Sequence, residues 1–345
     1  MLNVTEQSLA MATQLLLDGQ VVAFPTETVY GLGAWAFSES GVARIYEAKG
    51  RPSDNPLIVH IAPGADLHSL VSSVPPAASA LMQRFWPGPL TLIMPKGPAI
   101  SPRITGGLDT VAIRMPAHPA AIRLLEVSGL PLVAPSANSS GKPSPTTARH
   151  VWEDLQGRIP LILDGGPCGV GLESTVLDLT ESRPVILRPG AITQAMLEAV
   201  IGPVEVDPAV RRNALLADHV KPKAPGMKYR HYAPKGKLII TDATPEQMRA
   251  WLTPAAPQER VGVVATRQYL DKLQPDERQV TAICLGDQDN TEELAAHLFG
   301  ALRKADQQGL TLIYGQDLPA EGLGEALMNR FIKASSQQIW INRRK

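Results

Sequence analysis

AKGRPSDNPLIVH, residues 48–60, joins two different periodicities. Before it, SESGVARIYEAKG carries Val42, Ile45 and Tyr46 on one helical face, and Gly50 stands where that helix ends. After it, PLIVHI (56–61) alternates as a strand does. Leu57 and Val59 face one way, Ile58 and His60 the other. A helix handed to a strand through a Gly- and Pro-bearing loop is the repeating unit of an α/β sheet. The loop fixes Lys49, Arg51 and Asn55 on a stiff path, since Pro56 holds the Asn55 backbone extended. Two readings stand side by side. Basic residues at a helix C-terminus stabilise its dipole, and an Arg fork beside a Lys across a Gly turn suits a phosphate.

Outward from this stretch the same grammar continues. VVAF (21–24), DTVAIRMP (109–116), GLPLVAP (129–135), IPLILDGG (159–166), STVLDL (174–179) and PVILRPG (184–190) read as strands bounded by Gly and Pro. Helical spacing recurs near 77–86, 117–127 and 146–156, and in an N-terminal helix with Leu9, Ala12 and Leu16 on one face. Residues 1–205 therefore predict one mixed α/β domain. Residues 206–236 are rich in Pro and basic residues without a sustained period, and predict a linker. From Lys237, the segments KLIIT, PEQMRAWL, VGVVAT, TAICLG, TEELAAHLFGALRKAD, GLTLIYG and GEALMNRFIKAS predict a smaller α/β domain with a parallel sheet over 237–345.

The totals narrow the functional classes. The chain has 345 residues, enough for two domains, and 44% are hydrophobic. Lys and Arg number 33, balanced by 33 Asp and Glu, so bulk attraction to nucleic acid or a membrane surface is not expected. Cys168 and Cys284 stand far apart with no CxxC pair, which argues against a zinc site or a disulfide framework. The N-terminus carries acids and no basic n-region, and no apolar run approaches the ~18 residues of a membrane span. A soluble, cytoplasmic protein is expected.

Several polar residues sit where ligands of α/β domains bind, at strand ends. On DTVAIRMP, Val111, Ile113 and Met115 share one face while Thr110, Ala112 and Arg114 share the other. An Arg beside Ala and Thr suits either a solvent-facing edge or a cavity awaiting a carboxylate. APSANSSGKPSPT (134–146) is an ordinary loop by composition, or a hydrogen-bonding wall for a nucleotide. GLESTVLDL puts Ser174 at a strand mouth, and VILRPG puts Arg188 at a strand end before a turn. No GxxxxGK[ST] loop, HExxH or GxSxG elbow is present, and the GLG triplets at 31–33 and 322–324 are too short for a dinucleotide fingerprint. From the residues alone, the chain binds an anionic small molecule.

In order, FPTETVYGLG, KGRPSDNPLIVH, DTVAIRMP, APSANSSGKPSPT, ESTVLDL and LRPG resemble the YrdC-type L-threonylcarbamoyladenylate synthases. The linker string APGMKYRHYAP and the tail GLGEALMNR resemble that family's longer, two-domain form, so the resemblance spans nearly the whole chain. It implies an open twisted sheet around a large concave basic cavity, followed by a Rossmann-like domain that does not read a dinucleotide. The implied activity, a nucleotidyltransferase, condenses L-threonine, bicarbonate and ATP into threonylcarbamoyl-AMP and pyrophosphate. A partner transferase machinery then moves the threonylcarbamoyl group onto an adenosine of tRNAs reading codons that begin with A, and a weak tRNA contact is implied.

Residue by residue, the resemblance gives Lys49, Arg51 and Arg188 to the phosphates, Lys49 and Arg51 as the catalytic pair. Asn55, Thr110, Ser136 and Ser144 complete the ATP site, and Tyr232, or Tyr229, closes over it from a linker that crosses the active site. Thr28, His60, Arg114, the backbone at Ala134 and Ser174 go to L-threonine. Mg2+ would travel with ATP, with no protein-bound metal. Other classes have distinct signatures. A non-enzymatic RNA-binding protein would show a basic balance or aromatic stacking platform, and a hydrogenase-maturation carbamoyl transferase would carry zinc-finger cysteine pairs. Neither is present. A regulatory ligand on the C-terminal domain remains an added role the sequence allows.

Overall fold

The computed structural model describes residues 1–212, 221–228, 231–252, 259–276, 278–335 and 339–340. They divide into two compact units, Met1–Ser140 with Ser144–Tyr229, and Gly141–Pro143 with Arg230–Lys345.

The strands of the first unit are β1 (Leu2–Asn3), β2 (Val22–Phe24), β3 (Gly31–Trp35), β4 (Ile58–His60), β5 (Leu90–Pro95), β6 (Thr110–Arg114), β7 (Leu132–Val133), β8 (Leu161–Asp164), β9 (Thr175–Asp178), β10 (Val185–Arg188) and β11 (Glu205–Val206). They form one mixed sheet in the order β1-β8-β2-β3-β7-β4-β6-β5-β9-β10-β11. Its helices are α1 (Glu6–Leu17), α2 (Glu39–Lys49), α3 (Pro76–Phe85), α4 (Pro102–Thr105), α5 (Pro119–Ser128), α6 (Ala148–Leu155), α7 (Gln194–Ile201) and α8 (Pro208–Arg211).

Local chemistry explains the elements that matter. Thr5 caps α1 reciprocally with Ser8, and Leu9, Ala12 and Leu16 form its buried face. Ser38 caps α2 at Gly41, and the helix ends on Gly50 at φ 61°. That left-handed position favours glycine, and it turns the chain between Lys49 and Arg51.

The central strands bury both faces. Val59, Leu92, Met94, Val111, Ile113, Leu177 and Ile186 belong to the main core. Their neighbours Ile58, Ile93, Ala112, Val176 and Leu187 form a second cluster, which buries Ala224 and Met227 of the 221–228 segment.

Two central strands escape the sequence patterns. GLGAW is not among the segments that read as strands, yet β3 pairs with both β2 and β7. A Cβ at Gly33 would stand 2.8 Å from the Phe24 ring, so the glycine makes room for that ring. LTLIMP is apolar without alternation because β5 is buried on both faces. β11 runs into the span read as a linker and pairs with β10, and Val206 and Val210 are buried.

In the second unit β12 (Lys237–Thr241), β13 (Val261–Ala265), β14 (Val280–Cys284), β15 (Leu312–Gln316) and β16 (Ile339–Trp340) alternate with α9 (Pro245–Trp251), α10 (Arg267–Leu273), α11 (Thr291–Gln307) and α12 (Leu323–Ala334). All its pairs are parallel, in the order β14-β13-β15-β12-β16. That is the parallel sheet expected from alternating βα segments. Helix α10, only RQYLDKL, has too few turns to show its period.

Candidate active site

One face of the first sheet carries the buried polar side chains. His60 lies opposite Arg114 in the β4–β6 pair, and Arg114 lies opposite Thr91 in the β5–β6 pair. Thr91 in turn lies opposite Val176 on β9. Arg188 reaches this face through an irregularity. The β9–β10 register shifts between Ile186 and Arg188, so Arg188 lies opposite Val176 while Ile186 faces the main core. A bulge re-aims a side chain in this way.

Arg114 is held on three sides. Its Nε donates to Gly88 O at 3.2 Å, its Nη1 to Thr28 Oγ1 at 2.8 Å, and its Nη2 stands 2.7 Å from Glu27 Oε1. Thr28 is fixed in turn by Thr26, 2.8 Å away. His60 packs edge-on against Phe24 at 6.1 Å and places Nδ1 3.1 Å from Ile58 O. Burial, helped by the Arg114 charge, pulls its pKa down to about 3, so the imidazole is neutral at physiological pH.

Arg188 and Ser174 form the neighbouring set. Arg188 donates through Nε to Ser174 O and through Nη2 to Ser174 Oγ, both at 3.0 Å. Ser174 Oγ also meets Thr91 Oγ1 at 2.7 Å. Thus His60, Arg114 and Arg188 on β4, β6 and β10, Thr28 in the loop between β2 and β3, and Ser174 just before β9, proposed from separate motifs, are linked by pairing or hydrogen bonds.

Of the other expected residues, Arg51, Asn55, Thr110 and Ala134 lie near the start of β4. Lys49, 3% exposed, points its ammonium at the Ser136 and Asn138 carbonyls. It therefore shapes the 136–138 turn, where Ser136 Oγ donates to Asn138 Oδ1 at 2.6 Å. Arg51 Nη2 donates to Pro56 O at 3.0 Å. Asn55 is buried, and its Oδ1 has no hydrogen-bond partner among the described residues. Thr110 opens β6 and is half-buried. The Ala134 N–H donates to Ile58 O at 2.9 Å, which ties the loop after β7 to β4. Ser144 donates to Glu173.

The 221–228 segment crosses the same face. Pro225 O accepts from Arg188 Nη1 at 3.4 Å, Lys223 pairs with Asp178 at 3.0 Å, and Lys228 pairs with Asp54 at 3.0 Å. Tyr232 belongs to the second unit, at φ 66° and buried against Phe299 at 5.1 Å. Tyr229 lies outside the described residues.

Sequence reasoning passed over Glu27, Thr91, Asn138 and Glu173, which hold the candidate residues in place. Three of them adjoin a residue it chose or sit two away in the same motif, in PTET, SAN and EST. Thr91 lies in the strand that showed no alternation.

The chain is similar to known proteins over nearly its whole length. A family profile described as "Telomere recombination" (Sua5, YciO and YrdC) matches residues 14–190. One described as "Threonylcarbamoyl-AMP synthase, C-terminal domain" matches 192–336. The threonylcarbamoyl-AMP synthase of Bacillus subtilis is 49% identical, with 98% of this chain and 96% of that protein covered. That of Schizosaccharomyces pombe is 39% identical, with 96% and 89% covered. The crystal structure of Pyrococcus abyssi Sua5 complexed with L-threonine superposes with a TM-score of 0.89 at 47% identity, covering 99% and 97% of the two chains.

Proposed function

The chain belongs to the Sua5/YrdC family in its two-domain form, the threonylcarbamoyl-AMP synthases, and we propose that the polar face of its first sheet carries their reaction. The enzyme condenses L-threonine, bicarbonate and ATP into threonylcarbamoyl-AMP, releasing pyrophosphate. This is the first step of threonylcarbamoyladenosine formation in tRNA.

One observation carries the placement. Two buried arginines share the face, Arg114 bonded to Thr28 and Arg188 bonded to Ser174. Arg114 takes the threonine carboxylate, beside Thr28, His60, Ser174 and the Ala134 backbone. Arg188, with Lys49 and Arg51, takes the phosphates, and Asn55, Thr110, Ser136 and Ser144 take the nucleoside end. For Tyr232 the support is its motif alone. The threonine amine attacks the bicarbonate carbon, and water leaves to give an N-carboxylate. That carboxylate attacks the α-phosphorus, and pyrophosphate departs. The protein's work is to position the reactants and stabilise charge on the phosphoryl oxygens.

Among the described residues no three His, Cys, Asp or Glu side chains converge as metal ligands. A Mg2+ ion would travel with ATP, held by phosphate and water, and would supply charge neutralisation when bound. The product passes to a threonylcarbamoyl transferase machinery, with a weak tRNA contact at most. The setting is the cytoplasm, where free Cys168 and Cys284 stay reduced; among the described residues no helix is long and apolar enough to cross a membrane.

The test is pyrophosphate release from ATP with each amino acid, with and without bicarbonate. Release that requires both L-threonine and bicarbonate supports the assignment. No release with any amino acid returns the chain to a non-enzymatic RNA-binding role.

A further inference from the structure

Glu27 has no part in the roles above, yet the loop between β2 and β3 is built to aim it. Thr26 Oγ1 accepts the N–H groups of Thr28 and Val29, both at 3.2 Å, and donates its own hydrogen to Val29 O at 2.6 Å. The Glu27 carbonyl accepts from Val170 N at 2.7 Å. The backbone on both sides of Glu27 is thereby fixed.

From this turn, consecutive residues grip the two ends of one guanidinium. Thr28 Oγ1 takes a hydrogen from Arg114 Nη1, and Glu27 Oε1 stands 2.7 Å from Nη2. Nε is already spent on Gly88 O. Nη1 keeps one hydrogen, and Nη2, which makes no hydrogen bond among the described residues, keeps both, so each terminal nitrogen still has a hydrogen to offer a carboxylate. The Thr26 hydrogen goes to Val29 O, so Thr28 is the donor in the Thr26–Thr28 contact and offers Arg114 only lone pairs.

The carboxylate itself is unusually placed. Both Glu27 oxygens are shielded from solvent and lack a hydrogen-bond partner among the described residues. A buried carboxylate with unfilled acceptors is costly. An ion pair that only supported the fold would lower that cost by adding donors. This pair gives Glu27 charge contact alone.

We propose that Glu27 is the positioning residue for amino-acid recognition: it orients Arg114 and cancels its charge, so that the guanidinium meets the substrate's α-carboxylate as a hydrogen-bonding fork rather than as an open anion trap. This rests on the assignment of Arg114 to the threonine carboxylate. It adds a specificity consequence. Bicarbonate and pyrophosphate, also present in the reaction, gain no foothold at a guanidinium that is already neutralised.

The experiment is calorimetric binding of L-threonine, L-threoninamide (which lacks the carboxylate) and pyrophosphate to the full-length protein, in the wild type, Glu27→Gln, Arg114→Ala and the double variant. Glu27→Gln is expected to weaken L-threonine at least tenfold and threoninamide less than threefold. Competition between pyrophosphate and threonine should appear only in this variant. In the Arg114→Ala background, Glu27→Gln should no longer weaken threonine binding. Equal losses for threonine and threoninamide, or penalties that add in the double variant, overturn the proposal and leave Glu27 a fold-supporting residue. Should Glu27→Gln not fold, Glu27→Asp, which keeps the charge but shortens the reach, must show the same selective loss of threonine. Binding without turnover in the wild type would contradict the reaction and leave the Glu27 result to stand by itself. Absence of any threonine binding would sink both.

Discussion

The two faces of the first sheet are made by alternate residues of the same strands, and they solve different problems. On β6, Val111 and Ile113 enter the main core, while Thr110, Ala112 and Arg114 line the other side. Both faces are buried. One is held by apolar contact, which tolerates small shifts. The other adds to its own apolar cluster a set of directed bonds among Thr28, Arg114, Ser174, Thr91 and Arg188, which do not. Burial alone therefore does not separate core from site here; the kind of partner does.

Substitutions on the two faces should break in different ways. The largest effect is expected at Arg114→Ala, which removes the carboxylate contact and leaves the Glu27 charge uncompensated. Threonine-dependent pyrophosphate release should fall about a thousandfold, ~4 kcal/mol, in steady-state kinetics. On the other face, Ile113→Ala opens a cavity in the core and should cost ~3 kcal/mol of stability, read from a urea midpoint. Threonine affinity of the molecules that remain folded should hardly change. If Ile113→Ala altered substrate affinity as much as Arg114→Ala, the division between faces would fail.

His60 gives the comparison a pH axis. Its folded pKa of about 3 lies below the ordinary 6.5, so below pH 6.5 the unfolded chain binds a proton that the native state refuses. Stability must then fall as pH drops from 6.5 toward 3, by ~1.4 kcal/mol per unit from this residue. His60→Gln should flatten that part of the acid-unfolding curve. An unchanged curve would mean that His60 is protonated in the folded protein. Smallest of all, Lys228→Ala removes the ion pair to Asp54 on the rim of the polar face, and should cost ~0.5 kcal/mol in thermal unfolding.

Much of this was legible in the chain because strands alternate. DTVAIRMP announced which side chains share a face, and PLIVHI put His60 with Ile58. Other features were not legible. β5 buries both faces and shows no alternation, and β3 hides behind glycines that exist for the Phe24 ring. The face taken by Arg188 depends on a register shift that no periodicity records. The contacts of the Lys49 ammonium with backbone carbonyls 87 and 89 residues away leave no local pattern either. The bond between Thr28 and Arg114 spans 86 residues, a distance at which local pattern carries no information.

The most direct measurement is the fate of the bicarbonate carbon. The protein is supplied with ATP, L-threonine and 13C-labelled bicarbonate, and the adenylate product is followed by 13C NMR. The expected result is one labelled carbamoyl signal, present only with L-threonine and lost in Arg114→Ala. An AMP ester of threonine formed without the label would contradict the proposed reaction, because the polar face would then join amino acid to nucleotide with no carboxylation between them.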